Sequence, residues 1–101
     1  MAEKKKLPIR IKEIPLNGDW AGWNLVARVN PPLRIVGDIL SGNIDRITEA
    51  LAEVIKSWDF VDEEGEPLGE PSAATISELP IDLIKAVSNA FSEEVQKVPN
   101  G

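Results

Sequence analysis

The sequence predicts a small α+β domain: an N-terminal antiparallel β-hairpin, then three or four helices, with a short acidic hairpin or arm before the last. Three observations carry that expectation. Apolar and polar residues alternate on either side of Asn17-Gly18, which is the two-residue period of half-buried strands about a turn. From Leu33 onward apolar residues recur every three or four positions, the period of amphipathic helices. Prolines stand where helices would open, at Pro31-Pro32 and at Pro80, and their fixed φ suits a first turn.

Taken in order, residues 7–14 place Ile9 and Ile11 on one side and Arg10 and Lys12 on the other. Pro8 and Pro15 bracket them, which suits an edge strand because proline cannot donate to a ladder. A loop from Pro15 to Ala21 leads to a second strand, with Trp23, Leu25, Ala27 and Val29 on its inner face. Pro31-Pro32 ends that strand. A short helix over about 32–41 follows, with Leu33, Val36, Ile39 and Leu40 as its apolar stripe. Gly42 suits a left-handed helix end, and Asn43 suits the cap of the next helix. Ile44, Ile47, Leu51, Val54, Ile55 and Trp58 then form one stripe. Asp62-Glu63-Glu64-Gly65 reads as a turn from which Glu66-Pro67-Leu68 returns. Ser72 or Thr75 caps a helical turn ending at Leu79. Beyond Pro80, the stripe Ile81, Ile84, Val87, Phe91 and Val95 marks a final helix, with Leu83 and Ala90 at its margin.

Size and composition bound the function. A chain of 101 residues with 28% charged residues is one ordinary globular domain. Residues 1–6 read as a frayed basic tail, with a functional docking tail as the alternative use of the lysine run, Pro99 to Gly101 as a frayed end, and 7–98 as the folded part. No apolar run is long enough to cross a bilayer. The residues after Lys4-Lys5-Lys6 are too broken for a secretory signal, so a cytoplasmic setting is expected. The chain has no His, no Cys and no Tyr. That removes the commonest acid–base, nucleophilic and transition-metal groups, and a non-enzyme without cofactor or metal is expected. The net charge is −6, with basic residues gathered in 3–12 and acids in 59–70. An acidic body disfavours nucleic acid as a partner. The acidic loop lacks the ligand spacing of a calcium site and reads as a solvated turn.

Binding is left as the means of action. The three tryptophans are the largest apolar surfaces available, and tryptophan is enriched at binding hot spots. Trp23 and Trp58 fall on core-facing stripes, whereas Trp20, beside Gly18 and Asp19, divides between loop packing and partner contact. In so small a domain, one helical stripe could stay open to an amphipathic partner helix, with self-association through the same face as the competing use.

The order of motifs resembles the tail assembly chaperones of long-tailed bacteriophages. The residues that carry the resemblance are Gly22-Trp23, Asn30-Pro31-Pro32-Leu33, Val54 to Trp58-Asp59, Asp62 to Pro67, and Leu79-Pro80. It covers about Asp19 to Val95. The resemblance implies a protein made in the infected host's cytoplasm and absent from the finished virion. Such proteins bind the long, aggregation-prone tape measure protein and help recruit the tail tube subunit. Many occur in a short and a frameshifted long form, and this chain would correspond to the short form or the shared part. The candidate partner-binding residues are Trp20, Leu33, Val36, Leu40, Phe60, Leu83 and Phe91. Alternatives are a structural head–tail or tail component retained in the particle, and a small protein-interaction or regulatory domain.

Overall fold

The computed structural model describes residues 6–97; of the expected tail over residues 1–6, all but Lys6 lies outside the described residues, as does the expected fraying at 99–101. The fold is α+β. Strand β1 (Ile11–Pro15), a single 3-10 turn (Gly18–Trp20) and strand β2 (Asn24–Arg28) form the N-terminal hairpin. Helices α1 (Leu33–Leu40) and α2 (Ile44–Val54), strand β3 (Ile55–Trp58), the one-turn helix α3 (Ala73–Ile76) and helix α4 (Ile81–Gln96) follow. The sheet is antiparallel throughout, ordered β1-β2-β3.

The hairpin puts Ile14 opposite Leu25 and Lys12 opposite Ala27. Leu25, Ala27 and Val29 are buried, as the alternation predicts. The first strand is a correction. Ile14 and Leu16 enter the core, while Ile9 and Ile11 are 61% and 53% exposed. Both parities carry apolar residues here, and the one over the helices wins. The strand also starts later than expected, at Ile11. Before it, the chain is held to the end of β2 by Asn30: its Oδ1 accepts from the Arg10 N–H at 2.8 Å, and its Nδ2 donates to the Pro8 carbonyl at 2.8 Å.

Helix ends follow their local chemistry. The Asn43 side chain accepts from the Arg46 N–H at 3.1 Å, and Ser72 caps α3 through the Thr75 N–H at 3.3 Å. Gly42 adopts φ +78, the left-handed conformation that a side chain would strain. Pro32 and Pro80 sit one residue earlier than expected, as N-caps.

Helix α2 stops at Val54, and Ile55 to Trp58 pair with β2 instead of extending the stripe. Strand pairing therefore overrides a helical period that runs through Ile55 and Trp58. Asp59 then fastens the join. Its carboxylate accepts from the Asn24 N–H at 2.7 Å and from Asn24 Nδ2 at 3.1 Å, and its own N–H donates to the Asn24 carbonyl. The Trp58 indole donates to the Gly69 carbonyl at 3.0 Å, drawing the loop over the outer side of β3. The acidic segment doubles back through an antiparallel bridge between Val61 and Pro67. Asp62 holds its tip by accepting from the N–H groups of Glu64 and Glu66.

One core joins sheet and helices, built on Ile14, Leu25, Ile35, Leu51, Phe60, Ile76, Leu83, Val87 and Phe91. In α1 the inward positions are Ile35 and Ile39, so Leu33 and Leu40 leave the expected stripe. In α4 they are Leu83, Val87 and Phe91, which moves Leu83 from the margin to the centre and leaves Ile81 exposed.

Candidate protein-binding surfaces

The seven candidate residues divide into three groups. Phe60 and Phe91, each 1% exposed, are interior core. They are corrected as contact residues, because their rings are already spent on this domain's own packing. Leu83 is buried as well, and touches the outside only as part of the floor of a groove. Trp20 is half-buried at the mouth of that groove. Leu33, Val36 and Leu40 lie together on the outer face of α1.

The outer face of α1 is an apolar departure from an ordinary surface. Leu33 is 84% exposed and Leu40 67%. They stand two turns apart, on the same side of the helix. Val36 flanks them half-buried, and Gly37 lies between them on the same arc. Beyond the Ser41–Asn43 break, Ile44 is 56% exposed, although the helical stripe placed it inward. The sequence reading passed over Gly37, and its signal was plain: a glycine in the middle of a helix costs about 1 kcal/mol relative to alanine. Nothing in the fold asks for it, since a Cβ built there meets no atom within 4 Å. What it creates is a notch between two leucines, where another backbone could approach closely.

The groove forms where the hairpin turn meets the acidic turn and the start of α4. Its apolar lining includes Trp20, Trp23, Leu68, Leu79, Pro80 and Leu83, and it encloses about 640 Å³. An aromatic row backs it. Trp20 meets Trp23 edge-on at 5.3 Å, Trp23 leans on Phe60 at 5.4 Å, and Phe60 stacks on Trp58 at 4.8 Å. Trp20 is thus fixed by an aromatic contact worth about 1 kcal/mol beyond its buried area. Asp62, Glu63, Glu64 and Glu78 line the same groove, and among the described residues no cation does.

Among the described residues no three carboxylates come together as a metal-holding group. One carboxyl is held by a partner across the fold: Glu94, on α4. A hydrogen bond from Lys12 holds it below the ordinary carboxylate value, burial pulls the other way, and Lys97 adds to the lowering. Lys12 Nζ stands 2.7 Å from Glu94 Oε2, so the pair links β1 to α4. No helix among the described residues is long and apolar enough to cross a membrane.

Neither a family model, a curated protein nor a solved structure matches the chain.

Proposed function

We propose that this chain is a tail assembly chaperone of a long-tailed bacteriophage, working in the host cytoplasm and left out of the virion. It holds apolar helical segments of the tape measure protein until the tail polymerises. The motifs from Asp19 to Val95 support the family. The observation that carries the mechanism is the outer face of α1, where Leu33, Gly37 and Leu40 form an apolar ridge with a notch.

The chemistry is reversible burial rather than bond making. Covering one large aliphatic side chain stabilises by about 1.5–3 kcal/mol, so two leucines and an isoleucine contribute an amount comparable with the cost of association, which keeps the contact weak and reversible. The net charge of −6 opposes co-aggregation with the apolar partner. No converging reactive groups are needed for this, and the reading assigns no catalysis, cofactor or metal.

The test is co-expression with a tape measure protein of a long-tailed phage, taken from the genome that encodes this chain. The native chain should keep the tape measure soluble and co-elute with it in size exclusion. A Leu33→Asp, Leu40→Asp double variant should fold and fail to do so. Unchanged tape measure solubility with the native chain, and no co-eluting complex, would refute the reading.

A further inference from the structure

We infer that the Trp20–Trp23 groove receives the basic, apolar arm Lys6–Arg10 of a second copy of this chain, joining molecules head to tail. The inference uses a different surface from α1 and stands independently of the chaperone reading.

The two surfaces are complementary in both respects that matter. The groove is aromatic and aliphatic within, and among the described residues it carries four carboxylates and no cation. None of these carboxylates takes part in an ion pair among the described residues. The arm carries Lys6 and Arg10, with Lys4 and Lys5 ahead of them in the sequence. Between its charges stand Leu7 and Ile9, 88% and 61% exposed. In an extended segment Leu7 and Ile9 share one side. They can enter the groove while the long stems of Lys6 and Arg10 bring their charges to its acidic rim. Opposite charge steers such an encounter and selects its register.

The occupant has to be another copy. Asn30 clamps Pro8 and Arg10 beside the far end of β2. Trp23 lies at the opposite end of that strand, where its carbonyl accepts from the Leu16 N–H. An arm held at one end of the hairpin cannot also fill the groove at the other. Arm and groove are different patches, so each molecule offers one of each. Contacts of that kind extend into chains or rings instead of closing as a two-fold dimer.

Sedimentation velocity on the full chain tests this at low and physiological salt. The native protein should grow past a dimer with concentration, and salt should reverse the growth, because screening reaches about 8 Å at physiological ionic strength. A Leu7→Asp, Ile9→Asp variant has lost the arm and should be monomeric. A Glu63→Lys, Glu64→Lys variant has lost the groove and should be monomeric too. Mixed in equal amounts, the two should form a dimer and nothing larger, since one intact arm meets one intact groove. All four positions are exposed or outside the core, and circular dichroism confirms the fold. Leu33→Asp, Leu40→Asp should associate like the native chain. A native protein that stays monomeric at low salt, an arm variant that still associates, or a mixture that stays monomeric would each overturn the inference.

Discussion

Gly37 is the residue whose identity the fold itself explains least. It sits inside α1, where glycine is a poor choice, and open space surrounds the place its side chain would occupy. If the notch serves a partner, stability and binding should move in opposite directions on substitution. Gly37→Ala should raise the unfolding free energy by about 0.5–1 kcal/mol in urea titrations. The same change should weaken tape measure binding by about tenfold, equivalent to about 1.4 kcal/mol. A variant that is more stable and binds equally well would show that the glycine is incidental. Trp20 illustrates the opposite case. Its neighbours Gly18 and Asp19 mark it as lying off the strand register, and the structure accordingly leaves it half-buried against Trp23. Phe60 and Phe91 could not be sorted this way. An aromatic residue beside a turn or on a stripe looks alike whether it faces inward or outward, and only the packing of Trp23 and Trp58 against Phe60 decides it.

Elements are joined by polar contacts that the sequence did not reveal. Lys12 and Glu94 are far apart in the chain, yet they tie β1 to α4 at 2.7 Å. Glu94's carboxyl titrates lower in the folded protein than its ordinary value of 4.5. Its contribution to stability is therefore present above that value and fades as pH falls through the lowered one. Glu94→Gln should cost about 1 kcal/mol at neutral pH, the upper end for a partly exposed pair. The gap to the native protein should close as urea titrations are taken to acid pH. A gap that persists at pH 3 would mean that packing, not charge, is what Glu94 supplies.

At this scale the periodicities proved good guides to which elements exist and poorer guides to where they face or stop. The hairpin, the α1–α2 break at Gly42 and the helix after Pro80 were all legible, because turn and cap residues act locally. Strand β3 was not. Ile55 and Trp58 continue the helical spacing from Leu51, and the pairing that claims them belongs to β2, some 30 residues away in sequence. The phase of β1 escaped for a similar reason: Ile9, Ile11, Ile14 and Leu16 offer both faces, and the helices beneath choose between them.

Across the whole molecule, apolar surface is distributed unevenly. The core seals the sheet against α2 and α4, while Leu7, Ile9, Leu33, Leu40 and Ile44 remain outside it. A domain with this much buried aliphatic and aromatic surface had alternatives for covering those residues, and scattered exposed leucines are common enough singly. On α1 they are not scattered: Leu33 and Leu40 share one face with Gly37 between them. Acidic charge over much of the body limits indiscriminate association, and on the proposed reading that face is where the tape measure protein docks. Hydrogen–deuterium exchange on the complex purified with the tape measure protein tests this claim most directly. Protection gained on binding should concentrate over residues 33–44. Protection confined to other segments, with α1 exchanging as it does in the free protein, would contradict the account.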